Sequence, residues 1–150
     1  MAHGRTIRLT RRYRFSAGHI LRRDDWSEER NREVYGRCAN PNGHGHGYGL
    51  EVSVRGEPDP ETGQLLPPGQ LDRLVDERVL HVLDGRLLKR DVPEFEKQVP
   101  TAENIARFVW RALAGCLAPA CLDQVRLIET RNNSVEYCGE LEEDGCRSRT

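Results

Sequence analysis

The residues at odd positions from Ile7 to Ala17 (Ile7, Leu9, Tyr13, Phe15, Ala17) are apolar, and those between them are mostly polar. A period of two over that length predicts a strand with one buried face. Arg11 interrupts the apolar row, which places it near an edge or a subunit contact. A second run, Tyr48, Leu50, Val52 and Val54, alternates with Gly49, Glu51, Ser53 and Arg55 and predicts a second strand. Leu71, Leu74, Val75 and Val79 then fall at helical spacing. Thr101 is a predicted N-cap before Ile105, Phe108, Val109 and Leu113, a second amphipathic helix. Val125–Thr130 and Val135–Cys138 alternate again, with a hairpin turn expected over Arg131, Asn132, Asn133 and Ser134.

The order strand, strand, helix, helix, strand, strand predicts an α+β fold with both helices on one face of a four-stranded antiparallel sheet. At 150 residues the protein is expected to be one domain, with a core over about 6–139 and a frayed tail over 140–150. Residues 20–37 are polar and read as a long, partly helical excursion. The segment EPDPETGQLLPPGQ reads as a loop and turn.

Formal net charge is −1, which provides no global basic footprint for nucleic acid. No stretch approaches the roughly 20 apolar residues of a membrane span, and the N-terminus carries no apolar run of the secretory kind. The cysteines are Cys38, Cys116, Cys121, Cys138 and Cys146, an odd count at irregular spacing. Free thiols in a reducing, cytoplasmic setting are the expectation.

His44 and His46 enter the second strand two residues apart, which in extended backbone turns both imidazoles to one face. Gly43, Gly45 and Gly47 keep the flanks small. His19 ends the first strand on its apolar row, so pairing of the two strands would let all three rings converge. Three histidines with an open fourth position form a catalytic zinc pattern. The spacing alone is equally compatible with a Gly-rich turn and a core histidine.

The strings FSAGH, YGRCANPNGHGHGY, EPDPETG, PTAEN and ETRNNSVEY, in that order from Tyr13 to Gly139, resemble the 6-pyruvoyltetrahydropterin synthase family. The resemblance implies a tunnelling fold that closes into a barrel by trimerisation, with two trimers commonly stacked as a hexamer. It implies Zn2+ on His19, His44 and His46, and a reaction that converts 7,8-dihydroneopterin triphosphate to 6-pyruvoyltetrahydropterin with loss of triphosphate. Cys38 matches the proton-abstracting thiol, although the residues alone also allow a fourth zinc ligand or a small buried residue. Glu129 matches the glutamate that anchors the pterin ring, and Thr101 matches a residue near the pterin pocket.

Departures from the family pattern are specific. The family pairs its cysteine with an aspartate-histidine step from a neighbouring subunit; here VLDGRLL keeps Asp84 but puts Gly85 in the histidine position. Glycine cannot relay a proton. His81, four residues earlier, is a substitute if its helix continues; water with Asp84 is another. The remaining alternatives are a weakened pterin-binding zinc paralogue and 6-carboxytetrahydropterin synthase, whose cysteine commonly lies nearer the histidine pair. Pro67 and Pro68 also depart from the family pattern and stiffen that turn.

Overall fold

A computed structural model of the protein describes residues 6–140. The long strands β1 (Ile7–His19) and β2 (His44–Gly56) pair antiparallel along their full length, from Ile7 opposite Gly56 to His19 opposite His44. Between them lie α1 (Glu28–Tyr35) and a 3-10 turn (Gly36–Ala39). Next come α2 (Gln70–Val75), a π-helical segment (Asp76–Leu80) and α3 (His81–Leu83), all with right-handed helical backbone, so residues 70–83 form one continuous helix. β3 (Arg86–Leu87), α4 (Leu88–Asp91), α5 (Glu94–Lys97), α6 (Ala102–Leu113), β4 (Cys121–Thr130) and β5 (Asn133–Tyr137) complete the order.

The expected α+β architecture is present, with two corrections. The sheet has five strands, in the order β3-β1-β2-β4-β5, and is mixed. The additional strand is a two-residue parallel pairing of Arg86 and Leu87 with Ala17 and Gly18, too short to leave an alternating pattern in the sequence. The β4–β5 turn is also tighter than expected. Thr130 pairs with Asn133, so only Arg131 and Asn132 form it.

Three strands bury apolar residues on one face, although the expected buried row of β1 holds only in its second half: Ile7 and Leu9 are exposed, because no element of the described residues covers the start of that strand. Phe15 and Ala17 of β1, Tyr48, Leu50, Val52 and Val54 of β2, and Leu122, Val125 and Leu127 of β4 are all buried. Leu71, Val75, Val79 and Leu83 of the 70–83 helix join the same core, with Ile105, Phe108, Val109 and Leu113 of α6. The opposite face is an ion-pair ladder across the strands: Arg12 to Glu51 at 3.2 Å, Glu51 to Arg126 at 3.5 Å, and Arg126 to Glu136 at 3.6 Å.

Arg11 confirms its expected position by an edge. Its guanidinium donates to both oxygens of Asp72 at 3.0 and 2.7 Å, and the Tyr13 hydroxyl donates to Asp72 Oδ1 at 2.7 Å. This clasp ties β1 to α2. The 20–37 excursion is organised by buried Asn31. Its Oδ1 accepts from Arg23 N at 2.8 Å, and its Nδ2 donates to Arg23 O at 2.9 Å and Ser27 O at 3.2 Å. Ser27 caps α1. The free-thiol expectation needs a correction: Cys121 is disulfide-bonded, while Cys38, Cys116 and Cys138 are free. The expected tail, including Cys146, lies outside the described residues. No helix among the described residues is long and apolar enough to cross a membrane.

Candidate metal centre

Pairing of β1 with β2 does what the sequence required of it. His19 opposes His44, Ala17 opposes His46 and Phe15 opposes Tyr48, so all these residues share the core face. The histidine Nε2 atoms lie 2.7 Å (His19–His44), 3.1 Å (His19–His46) and 3.3 Å (His44–His46) apart. A tetrahedral ion with bonds of about 2.0–2.1 Å holds its ligand atoms about 3.3 Å apart, so these nitrogens surround a volume of the right size. Among the described residues, these three form the group able to hold a metal ion. His19 is fully buried, His46 half-buried and His44 exposed, so the centre opens on one side.

Three imidazole nitrogens converging on one point repel unless protons or a cation sit among them. Burial, and then the nearness of His46 and His44, depresses the His19 pKa from 6.5 to about 4. It therefore stays neutral at physiological pH, the form that ligates a metal. The approach of the backbone to His19 depends on Gly43. Its φ is +64°, and a Cβ there would lie 2.7 Å from the His19 carbonyl oxygen.

Cys38 sits at the mouth. The 3-10 turn that follows α1 delivers it, and its carbonyl accepts from Leu21 N at 2.7 Å. Its Sγ lies 3.3 Å from His44 Nε2, but it is not one of the three clustered ligands. Burial, followed by the charge of Glu129, raises the thiol pKa. Glu129 lies at an irregularity in the β4–β5 ladder between Ile128 and Thr130, and such bulges re-aim side groups. Its Oε1 is 3.8 Å from His19 Nδ1, and its Oε2 accepts from Asn133 Nδ2 at 2.7 Å.

Of the other expected site residues, Thr101 has a capping role and Asp84 sits on the edge of β1. Asp84 Oδ1 accepts from Ser16 N at 2.9 Å, and Gly85 N donates to Ser16 O at 2.7 Å, so the pair clasps the edge of β1. Asp84 also lines a cleft of about 550 Å³ with Arg14, Glu129 and Arg131. Thr101 caps α6, with its Oγ1 accepting from Asn104 N at 3.3 Å. The helix does continue past His81, but the ring is exposed and makes no hydrogen bond or ion pair among the described residues.

A family model described as 6-pyruvoyl tetrahydropterin synthase matches residues 8–140. The protein belongs to the 6-pyruvoyl tetrahydropterin synthase family. It is 41% identical over 132 residues to the 6-pyruvoyl tetrahydrobiopterin synthase of Homo sapiens, covering 88% of this protein and 91% of that one. Against the Dictyostelium discoideum enzyme of the same name it is 41% identical over 136 residues, covering 91% and 98%. The structure of Caenorhabditis elegans 6-pyruvoyl tetrahydropterin synthase superposes with a TM-score of 0.87 at 35% identity, covering 93% of this protein and all of that one. In this family member the reading from sequence missed Tyr48 and Asn133, which touch His19 and Glu129. Tyr48 continues the His44, His46 row and was accessible from alternation; Asn133 meets Glu129 only through the tight β4–β5 turn.

Proposed function

We propose that this protein is a zinc-dependent lyase that converts 7,8-dihydroneopterin triphosphate to 6-pyruvoyltetrahydropterin and triphosphate, with Gly85 slowing the proton-transfer step. The observation that supports this most is the convergence of three histidine Nε2 atoms within 3.3 Å of one another, with the Cys38 thiol beside them and the Glu129 carboxylate behind. His19, His44 and His46 hold the ion. When bound, zinc polarises hydroxyl oxygens on the substrate's propyl arm and supplies positive charge that favours the thiolate.

The remaining steps belong to the protein's own residues. Glu129, held by Asn133, accepts hydrogen bonds from the aminopyrimidine edge of the pterin and so fixes the propyl arm against the histidines. Cys38 is the base that removes a proton from a carbon of that arm. In the metal-free protein its raised pKa keeps it as a thiol, so it is silent until the centre is loaded. Asp84 serves as the proton partner of a neighbouring copy's centre. Thr101 already has a structural role in capping α6, and the proposal adds no chemical step to it.

Two features support assembly of several copies. Among the described residues β1 is paired on its outer side only at Ala17 and Gly18, and Ile7 and Leu9 near its start are 50% and 39% exposed. An open strand edge with apolar neighbours is a template for pairing with another copy, and closure into a barrel removes it. The proposed assembly is a trimer or a pair of stacked trimers, which sedimentation would distinguish from a monomer.

The test is incubation of zinc-loaded protein with dihydroneopterin triphosphate, with products separated by chromatography. Triphosphate and 6-pyruvoyltetrahydropterin are expected at a low rate. Cys38→Ala abolishes turnover while zinc content is unchanged; loss of zinc instead would make the thiol a ligand and sink the open-site reading. Acetaldehyde with a carboxylated pterin would assign the 6-carboxytetrahydropterin synthase reaction. Absence of any turnover, with pterin still bound, would leave a binding protein.

A further inference from the structure

Tyr48 is 1% exposed, stacked on Phe15 with ring centroids 5.0 Å apart and planes 15° apart, among apolar core residues. A phenol hydroxyl there costs about 1–3 kcal/mol if it is left without a partner, and phenylalanine would fill the same space without that cost. The partner is His19. Tyr48 Oη lies 3.1 Å from His19 Nδ1, on the side of the ring facing away from the clustered Nε2 atoms.

The direction of this hydrogen bond follows from the tautomer of His19. When Nε2 turns its lone pair toward a cation, the ring proton resides on Nδ1 and needs an acceptor. Two oxygens are candidates. Tyr48 Oη at 3.1 Å is within hydrogen-bond range, whereas Glu129 Oε1 at 3.8 Å is beyond it. Glu129 is moreover engaged by Asn133 through its other oxygen. His19 is the one fully buried ligand of the three, so water cannot substitute for a missing acceptor there.

We propose that Tyr48 is the positioning residue of the metal centre: its hydroxyl accepts the Nδ1 proton of His19, fixes the ring with Nε2 toward the ion, and leaves Glu129 free for the ligand. The inference rests on the metal reading above and assigns to Tyr48 a role distinct from packing. His44 and His46 approach from β2, which carries them through its own backbone alternation. His19, at the last residue of β1, lacks a following strand residue to hold it, and Tyr48 reaches across the pairing to do so.

The experiment measures zinc affinity of the full-length protein by competition with a chromophoric chelator, for the wild type and three variants. Tyr48→Phe is expected to raise the zinc Kd about tenfold, the usual effect of removing a hydrogen-bond partner of a ligating histidine. Phe15→Leu disrupts the stack but keeps the hydroxyl; it is expected to lower Tm and leave Kd within about twofold. Glu129→Gln is also expected to stay within about twofold. A Tyr48→Phe affinity equal to wild type overturns the inference, as does a tenfold loss in Glu129→Gln alone. Imidazole nitrogen NMR of zinc-loaded wild type gives an answer even if a variant fails to fold: Nε2 ligation with a protonated Nδ1 is expected at His19, and ligation through Nδ1 refutes the assignment. Wild type that takes up no zinc removes the metal reading and the inference together, whereas wild type that binds while Tyr48→Phe binds equally removes the inference alone.

Discussion

Acidifying the metal-free protein from pH 7 to pH 4 should remove about 3 kcal/mol of stability through His19 alone. The folded state depresses the His19 pKa from 6.5 to about 4, first by burial and then by the nearness of His46 and His44. Between those two values the unfolded state has bound a proton at this ring and the folded state has not. Stability therefore rises with pH across the window, falls on acidification, and stops responding to this group below about pH 4. At about 1.4 kcal/mol per pH unit, the interval corresponds to about 3 kcal/mol. With a urea m-value of about 2 kcal/mol/M, the unfolding midpoint should fall by about 1.5 M. The assay is urea denaturation in the presence of a chelator at closely spaced pH values, alongside His19→Gln. A midpoint that stays level from pH 6.5 to 4.5, or an equal slope in His19→Gln, would refute the reasoning. Loading with zinc should raise the midpoint at neutral pH and make its acid loss steeper, because ligation requires the neutral rings.

Gly85→His should increase turnover if the missing histidine limits the proton transfer, at the cost of strain. Gly85 has φ +70°, where any residue with a Cβ is destabilised by about 1–2 kcal/mol, although an added Cβ would meet nothing within 4 Å. A Tm about 4 °C lower with faster turnover is expected, and robust, equal turnover in both proteins would end this account of Gly85. Asp72→Asn should cost about 0.5–1 kcal/mol at neutral pH, a modest figure because the clasp is partly exposed. Hydrogen bonds from Arg11 and then Tyr13 hold the Asp72 carboxyl below its ordinary value of 3.8. That contribution is present above 3.8 and is lost as pH falls through the folded value, so wild type and variant should converge in acid; a constant difference would contradict the assignment. Thr101→Ala should cost about 1 kcal/mol of stability, read from the urea midpoint, and Thr101→Ser should restore it.

The strands and the two amphipathic helices were legible because their periods are imposed by burial on one face, and the second half of β1, β2, the 70–83 helix and α6 follow those periods. The candidate metal ligands were legible for a similar reason: spacing of two in extended backbone leaves His44 and His46 little choice of direction. Other features had no local signal. A two-residue parallel strand leaves no pattern, and the bond of Cys121 depends on distance in space. The clasp of Asp84 and Gly85 on Ser16 joins segments far apart in sequence.

By itself the sequence determined which residues share a face of each element, since that depends only on the backbone period; whether that face is covered, as it is at Phe15 and is not at Ile7 and Leu9, was decided by the tertiary structure. Tertiary structure alone decided that His19 lies opposite His44, that a ladder irregularity places Glu129 behind the histidines, and that Tyr48 meets His19 Nδ1. These are matters of register between separate strands, and register is chosen by the packing of the whole sheet.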